Sequence, residues 1–490
     1  MVKQTLKKHW FCLVLILVFF LRLPSLFEPF TYGDEGVYLT LGQAARKGLV
    51  FYRDIYDNKP PLLYLLAALT GSFSAYRFLF FVWSFLTVFV FSRFSQVLFK
   101  KNFWSVVAAT AAFAFLTNLH TFEGNVANAE NFMLLPTIIG FFLLFRFKRS
   151  LKSTWFGTGF FLSLAVLFKV PAIFDFGALI VISFFLFLEE KRKRNWDFLL
   201  NLFFLFLGFL LPITSSLLYY FSQNSLNQYL TAAFFQNIPY LSSWSSSQAQ
   251  TDGLPLLLLS RGLLVFLLVV FLYLMRKKFS SVTKLVLIWF AFAWFAALLS
   301  SRPYPHYLIQ ILPSLSLALG FLFYSPLRAF KEKIIPVLLL LFLIFTFNFF
   351  HFWGYKNLTY YTNFYQFALG KKSLPEYFAD FDGRANDIYQ VATFLKNHTL
   401  PTEKTFIWGN DPFIYALAER SPVGRYTVAY HIIDLGKYEE TLNHLQNQPS
   451  RYLIIDLEEK SPFSEFFLWV DKKYVLEEQI NDFLIYHRLY

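Results

Sequence analysis

Eight charged side chains are concentrated in one short segment near the N-terminus. They are Asp34, Glu35, Arg46, Lys47, Arg53, Asp54, Asp57 and Lys59. A carboxylate can accept the proton of a hydroxyl, and a lysine ammonium can hold a phosphate as a point charge. Charge runs are more often salt-bridged surface than sites. The segment therefore has two interpretations, a solvated ion-paired loop and a site that uses both signs of charge.

The neighbours of these charges favour a site. Gly33 and Gly36 flank Asp34, and glycine lets a ligand approach the backbone closely. Tyr32, Tyr38, Tyr52 and Tyr56 are amphipathic and suit an interface or the face of a sugar. Pro60-Pro61 removes two backbone donors, which fixes Lys59 at the start of the next apolar run.

The elements that must position this segment are membrane helices. Of the 490 residues, 56% are hydrophobic, and 67 are Phe. Long apolar runs separated by short basic clusters predict helices that cross a membrane. Residues 1–353 carry 30 Lys and Arg against 13 Asp and Glu, and residues 354–490 carry 14 against 18. A basic excess in the short loops of the apolar part is the positive-inside pattern, so no nucleic-acid partner is expected.

Placing the basic loops in the cytoplasm predicts a multi-pass protein of the cell inner (plasma) membrane with a cytoplasmic N-terminus. About 11–13 transmembrane helices are expected, beginning with a retained first span at 10–27. Residues 61–74 are too short for a crossing, which needs about 20 residues, so we expect them to be re-entrant or juxtamembrane. Residues 154–188 are expected to hold two spans. The first outer loop, 28–60, and a Ser-, Asn- and Gln-rich loop predicted to be flexible, 222–253, then lie outside.

The C-terminal residues change character. Predicted helices and strands alternate there, which is typical of a small α/β domain. The predicted helices are 384–398, 412–419 and 437–448, and the predicted strands are 405–408, 451–456 and 482–489. We therefore expect a transmembrane domain over 1–353 and an extracytoplasmic α/β domain over 354–490.

Three segments, in this order, resemble one enzyme class. They are the Asp34-Glu35 pair with Tyr52-Arg53-Asp54 and Lys59-Pro60-Pro61-Leu62, then Asn125-Val126-Ala127-Asn128-Ala129-Glu130-Asn131-Phe132-Met133, then Arg302-Pro303-Tyr304-Pro305-His306-Tyr307-Leu308. The charge argument places all three outside. Together they resemble the GT-C membrane glycosyltransferases, in the branch of the protein O-mannosyltransferases and the aminoarabinose lipid A transferases (glycosyltransferase families 39 and 83). The resemblance covers roughly 30–325.

The resemblance implies the GT-C fold and transfer of a hexosyl or pentosyl group from a polyprenyl-phosphate donor, with inversion, to a hydroxyl of a glycan, lipid or protein. Asp34 would be the base. The expected roles of the other residues follow from the chemistry of their side chains. Lys59, Arg302, His306 and Tyr307 would bind the donor phosphate, and Glu35, Asp54, Asp57 and Glu130 would position the acceptor or the lysine.

A metal ion is left open. Some members of the family carry a carboxylate immediately before the lysine of Lys-Pro-Pro, and this chain has Asn58 there. His306 with Asp34 and Glu130 could still hold a divalent cation, although their spacing is not diagnostic. No other cofactor is expected.

Several of these residues also have ordinary structural interpretations. Glu130 could cap a helix that begins near Asn131. Lys169 and Asp175 could form an ion pair or a gate for the lipid phosphate. Arg22 and Arg261 are expected to extend to the membrane interface.

Two other functions compete with the enzyme. A transporter or flippase of lipid-linked sugars would need broken helices in matching halves and ionisable residues near mid-membrane. A non-catalytic assembly protein would not need the Asp-Glu and Lys-Pro-Pro segments together. The sequence leaves open the sugar, the acceptor and the length of the carrier lipid.

Overall fold

The structure is a computed structural model that describes residues 2–190, 195–236, 254–300, 302–324 and 330–489. Long apolar runs fold as helices throughout its first 350 residues. These helices are α1 (Val2–Arg22), α2 (Gly33–Arg46), α3 (Leu62–Thr70), α4 (Phe73–Leu98), α5 (Phe103–Leu116), α6 (Ala129–Arg146), α7 (Lys152–Phe168), α8 (Ile173–Glu189), α9 (Asn195–Ser222), α10 (Leu226–Leu230), α11 (Leu254–Leu274), α12 (Ser281–Ala297), α13 (Leu312–Gly320) and α14 (Ile335–Phe349).

Seven helical segments among the described residues are long and apolar enough to cross a membrane. They are Lys7–Leu26, Phe73–Leu98, Ala129–Arg146, Val170–Glu189, Asn195–Ser222, Pro305–Phe323 and Glu332–Phe349. Shorter apolar helices cover Phe103–Leu116, Leu258–Leu274 and Ser281–Ala297. The predicted class, a polytopic helical fold with a small C-terminal α/β part, is confirmed. The count of 11–13 spans stays a prediction.

Two uncertain segments have clear structures. Helix α3 has 9 residues and ends at Gly71, whose φ of +72° lies in the left-handed region that glycine favours. It is therefore too short to cross a membrane alone. Between α7 and α8 the backbone is extended at Lys169, so residues 154–188 are divided at the position expected. Residues 237–253 of the predicted flexible loop lie outside the described residues, while 223–236 include α10 and a helical turn over Thr231–Phe235.

The C-terminal residues form helices around one five-stranded sheet. The elements are α15 (Asn357–Ala368), α16 (Leu374–Ala379), α17 (Ala385–His398), β1 (Lys404–Trp408), α18 (Phe413–Ala418), β2 (Ser421–Pro422), α19 (Ala429–Asp434), α20 (Tyr438–Asn447), β3 (Tyr452–Asp456), α21 (Ser464–Lys473), β4 (Tyr474–Ile480) and β5 (Phe483–Arg488). The strand order is β2-β1-β3-β5-β4; β2, β1 and β3 are parallel, and β5 is antiparallel to both β3 and β4. Strand β3 is buried along its whole length, which is typical of the centre of a sheet covered on both faces.

The described chain divides into two compact units. We call them the helical unit (Met1–Pro24, Phe80–Tyr219 and Gln236–Asn357) and the mixed unit (Ser25–Leu79, Tyr220–Phe235 and Leu358–Tyr490). The whole segment predicted as the first outer loop, 28–60, thus belongs to the same unit as the C-terminal sheet. The predicted domain boundary between 353 and 354 refers to chain order and stays a prediction.

Helix α2 holds the mixed unit together, because it packs against both α3 and α18. A Cβ atom at Gly36 would lie 2.7 Å from Cδ1 of Phe413, and one at Gly42 would lie 2.5 Å from the carbonyl carbon of Ala67. Thr40 Oγ1 also donates to the carbonyl of Pro412 at 3.0 Å. Gly36 therefore allows a helix to approach closely, and the expectation that it serves a ligand is wrong.

Two arginines of the helical unit are buried and hydrogen-bonded inside the protein. Arg22 is buried, donates from Nε to Asn118 Oδ1 at 2.6 Å and lies 3.9 Å from the ring centre of Phe80. Arg261 is also buried and donates to the carbonyl of Leu298. Both arginines therefore have acceptors within the protein, and their extension to the membrane interface stays a prediction.

Candidate active site

Asp34 and Lys59 form an ion pair in the mixed unit. Asp34 is the second residue of α2, and Lys59 precedes the two prolines that lead into α3. Lys59 Nζ lies 3.3 Å from Asp34 Oδ1, and the two side chains are 22% and 27% exposed. Because both are partly open to solvent, a substrate can reach both charges.

Tyr38 orients the carboxylate of Asp34. One helical turn after Asp34, its hydroxyl donates to Asp34 Oδ2 at 3.0 Å. Burial, and then the charge of Asp34, raise the pKa of Tyr38 well above its ordinary value, so the phenol stays protonated and keeps donating. The first turn of a helix also favours a negative charge such as that of Asp34. The carboxylate is thus fixed in place by two donors and a helix N-terminus.

The backbone of Lys59 is fixed by two buried tyrosines. Tyr52 Oη donates to the carbonyl of Lys59 at 2.8 Å, and the N–H of Lys59 donates to Tyr64 Oη at 3.0 Å. Tyr52 has φ +70°, which is uncommon for a bulky residue, and such strained conformations are frequent at functional sites. The ammonium lies 5.1 Å from the ring centre of Tyr38.

Asp57 is the second carboxylate near Lys59. It is 2% exposed, its Oδ2 lies 4.0 Å from Lys59 Nζ, and the same oxygen accepts from Tyr64 Oη at 2.8 Å. Its other oxygen lies 3.6 Å from Nε2 of His431 in α19. The sequence analysis expected Asp57 to position either the acceptor or the lysine. The structure places it beside the lysine, which fits the second of these roles.

Asp54 lies in a separate ion pair. It accepts from Nε and Nη2 of Arg53, each at 2.8 Å, and from the N–H of Val50 at 2.8 Å. The hydrogen bond from Arg53 lowers the pKa of Asp54, so this carboxylate stays charged. Arg53 also donates to the carbonyl of Gln223 at 2.7 Å. These contacts fix the turn that precedes Lys59, which fits a positioning role.

Glu35 is buried against a cation that the sequence analysis did not single out. Arg77 Nη2 lies 2.7 Å from Glu35 Oε2, and the two side chains are 5% and 1% exposed. Arg77 also donates to the carbonyls of Glu28 at 2.7 Å and Pro29 at 3.2 Å. Glu35 is thus inaccessible to an acceptor and fixes the start of α2 beside Asp34.

Glu130, His306 and Tyr307 come together in the helical unit, with Glu123 and Lys169. His306 Nδ1 is hydrogen-bonded to Glu123, and its Nε2 lies 3.5 Å from Glu130 Oε1. Lys169 pairs with Glu130 and lies 3.9 Å from the ring centre of Tyr307. The cluster combines two carboxylates, an imidazole and an ammonium in one largely buried set.

Two structural roles that the sequence analysis suggested are wrong, namely Glu130 as a helix cap and an ion pair between Lys169 and Asp175. The N-terminal cap of α6 is Asn128, whose Oδ1 accepts from the N–H of Asn131 at 3.1 Å, so Glu130 is free of that task. Lys169 does not pair with Asp175. Asp175 instead accepts from Trp289 Nε1 and from Gln310 Nε2, each at 2.7 Å.

Arg302 was predicted as a site residue, whereas Glu123 was not. Arg302 precedes Pro303 in the loop that also carries His306, and its side chain is partly buried. Its role at a phosphate stays a prediction. Glu123, which the sequence analysis did not single out, lies two residues before the segment from Asn125 to Met133. Extending that segment by two residues would have included it.

Geometry gives a divalent cation no support. Within the described residues, no group of three or more His, Cys, Asp and Glu is arranged to hold a metal ion. In the helical unit, Glu123 and Glu130 face opposite nitrogens of His306, so their oxygens do not converge on one point.

The architecture is shared with a protein of known structure. No protein-family model matches the chain, and no curated protein sequence matches it. The crystal structure of ArnT from Cupriavidus metallidurans in the apo state aligns with a TM-score of 0.58 and 13% identity, over 98% of both chains. The same protein bound to undecaprenyl phosphate aligns with a TM-score of 0.57 and 12% identity, also over 98% of both. The chain therefore has the GT-C fold, as the resemblance implied.

Proposed function

We propose that the chain transfers a sugar from a polyprenyl-phosphate donor to an acceptor hydroxyl on the outer face of the membrane, with inversion. The fold agrees with this, since an ArnT of the same fold has been crystallised with undecaprenyl phosphate. The observation that carries the proposal is the accessible pair, with Lys59 Nζ 3.3 Å from Asp34 Oδ1. The reaction requires a base for the acceptor hydroxyl and a cation for the departing phosphate, and this pair offers one candidate for each.

In the proposed reaction, Asp34 accepts the proton of the acceptor hydroxyl as that oxygen bonds to the anomeric carbon. The bond between that carbon and the phosphate oxygen breaks, and its electron pair stays on the departing polyprenyl phosphate. A phosphate is a weak base, so its departure needs charge stabilisation and no general acid. Lys59 provides that positive charge in advance, which is usually a large catalytic contribution.

The pair also suggests an order of binding. A carboxylate bonded to an ammonium is a weaker base than a free one, because the ion pair favours its charged form. A donor phosphate competes with Asp34 for Lys59. Donor binding would therefore release Asp34 to act as the base, so we expect the donor to bind before the acceptor.

Arg302, His306 and Tyr307 enter the proposal from the sequence. A guanidinium can grip two phosphate oxygens where an ammonium grips one, so Arg302 is proposed as the second cation for the donor phosphate. The proposal for His306 and Tyr307 is that they add hydrogen bonds to the same group. The sugar and the acceptor stay open.

The test is turnover by the purified protein in lipid nanodiscs. It is given a panel of polyprenyl-phosphate sugars together with a glycan, a hydroxylated lipid and a Ser/Thr peptide as acceptors, and released polyprenyl phosphate is measured by mass spectrometry. We expect release with at least one donor. Release with none would contradict the enzyme, and coupled solute uptake into sealed vesicles would favour the transporter.

Asp34→Asn tests the base in the same assay. The amide keeps the shape and can still accept from Tyr38, but it cannot accept a proton. We expect kcat to fall by about 10²- to 10⁴-fold, the usual contribution of a general base, while binding of undecaprenyl phosphate is retained. Asp471→Asn, at an exposed position of α21, is the matched control. Full turnover by Asp34→Asn would remove Asp34 from this role.

A further inference from the structure

We infer that His431, a residue of the C-terminal α/β part, is a positioning residue that fixes Asp57 and, through Asp57, the ammonium of Lys59. The catalytic meaning of this inference rests on the proposed function, but the contact itself does not. It would make the α/β part a component of the phosphate-binding site.

The first observation is a buried imidazole with unmet hydrogen-bonding capacity. His431 is 5% exposed, and neither ring nitrogen has a hydrogen-bond partner among the described residues. A buried polar group without a partner is unfavourable, so a nearby acceptor gains importance. Nε2 lies 3.6 Å from Asp57 Oδ1, a few tenths of an ångström beyond a hydrogen bond. A small movement of either side chain would let Nε2 donate to Asp57 Oδ1.

The second observation is that aromatic rings hold the imidazole at Asp57. The ring of Tyr56 stands edge-on to it with centres 4.9 Å apart, and the ring of Tyr430 lies 4.5 Å away. The N–H of Tyr56 donates to the carbonyl of Arg425 at 2.8 Å, which fixes the loop of Asp57 to the segment before α19. The imidazole is therefore packed against two aromatic rings beside Asp57.

The third observation is the set of charges around the ring. Asp57, Lys59 and Asp34 all act on His431, but burial dominates and lowers its pKa to about 4. The ring is thus neutral near pH 7, and one of its nitrogens carries a proton. A neutral donor can hold Asp57 without competing with Lys59 as a second cation.

Asp57 transmits this constraint to the lysine. Its Oδ2 accepts from Tyr64 and lies 4.0 Å from Lys59 Nζ, while Oδ1 faces His431. With His431 absent, the carboxylate would be held on one side only and could rotate away from the ammonium. A histidine that merely fills the core would instead affect stability and leave the ammonium unchanged.

Two variants separate these roles. His431→Gln can place an amide N–H near the position of Nε2, whereas His431→Phe fills the space without a donor. We expect His431→Phe, which cannot form a hydrogen bond to the charged Asp57, to raise the donor KM roughly tenfold, with a much smaller change in kcat. His431→Gln should stay near the wild-type KM. His444→Phe, at an exposed position of α20, is the control. An unchanged donor KM in folded His431→Phe would overturn the inference.

A second measurement needs no sugar donor. Reductive methylation of Lys59, followed by peptide mass spectrometry, reports how closely carboxylates hold its amine, with exposed Lys472 as the internal reference. We expect His431→Phe and Asp57→Asn to speed methylation of Lys59 about two- to fivefold, the factor that matches a partly exposed ion pair. His431→Gln and His444→Phe should not. An unchanged rate in His431→Phe overturns the inference even if no donor is ever turned over, so the two failures are distinguishable.

Discussion

Lys59 is the residue on which the donor should depend most directly. Lys59→Ala removes the ammonium that faces Asp34 and Asp57, so a bound phosphate would lose its charge partner. Hydrogen bonds to charged groups contribute about 1.5–3 kcal/mol, which predicts a rise in the donor KM of about 10- to 150-fold. Steady-state kinetics with varied donor, and binding of undecaprenyl phosphate, measure it.

The control for that prediction is Lys472→Ala, on the exposed surface of α21. It removes the same charge from the chain without touching the pair. Equal KM values for wild type and Lys59→Ala would contradict a phosphate-binding lysine. Lys59→Arg is informative as well, because a planar guanidinium does not reproduce a point charge on a flexible stem.

Some residues of the candidate site could be predicted from the sequence, and others could not. Asp34 and Lys59 could be singled out because they share one unusual segment and one family resemblance, and the structure places them in contact. Arg77, His431 and Glu123 gave no such signal. Arg77 and His431 lie in ordinary apolar surroundings, far along the chain from the carboxylates they face, and only tertiary packing brings them there.

At the scale of elements, the contact of α2 with α3 should limit substitution. A Cβ atom at Gly42 would lie 2.5 Å from the backbone of Ala67, so Gly42→Ala must push the two helices apart. Overpacking of this kind costs about 1–3 kcal/mol. We expect a lower melting temperature in detergent. We also expect slower transfer, because α2 carries Asp34 and α3 begins shortly after Lys59.

Gly33→Ala is the matched control, since nothing lies within 4 Å of a Cβ atom there. It should leave the melting temperature close to that of wild type. Equal melting temperatures for Gly42→Ala and Gly33→Ala would mean that α2 and α3 can separate without cost. That outcome would remove the packing argument for Gly42.

Elements with strong apolar patterns were predictable, and those without them were not. The predicted helices and strands of the C-terminal part correspond to α17, β1, α18, α20, β3 and β5. Strand β4 was missed because its middle, including Glu477 and Glu478, is exposed and charged, so it has no alternating pattern to detect. Its hydrogen bonds to β5 define it instead.

For the whole molecule, composition and loop charge were enough to predict a polytopic helical fold, and the quoted segments were enough to predict the GT-C fold. The division into units could not be predicted. Residues 25–79 fold with residues 358–490, and that pairing rests on contacts such as that of Thr40 with Pro412, which no local pattern encodes. The domain boundary predicted from chain order, between 353 and 354, therefore differs from the division of the chain into packed units.

Orientation in the membrane is the remaining property of the whole molecule, and loop charge predicts it. Short loops that are rich in lysine and arginine are retained on the cytoplasmic side of the membrane. Lys148, between α6 and α7, lies in a basic cluster and should be cytoplasmic, whereas Lys472 of α21 should be outside. Both positions are exposed in the structure. An outer position of the C-terminal part would also matter chemically, because a lipid-linked donor is needed where nucleotide sugars are absent.

Cysteine labelling in a bacterial host tests this orientation. Cys12 is the only cysteine, so Cys12→Ser gives a clean background for Lys148→Cys and Lys472→Cys. We expect a membrane-impermeant maleimide to label Lys472→Cys in intact spheroplasts and Lys148→Cys only after permeabilisation. The two variants control for each other, since each is accessible under one condition that the other is not. The reverse pattern would put the C-terminal part inside the cell and contradict transfer on the outer face.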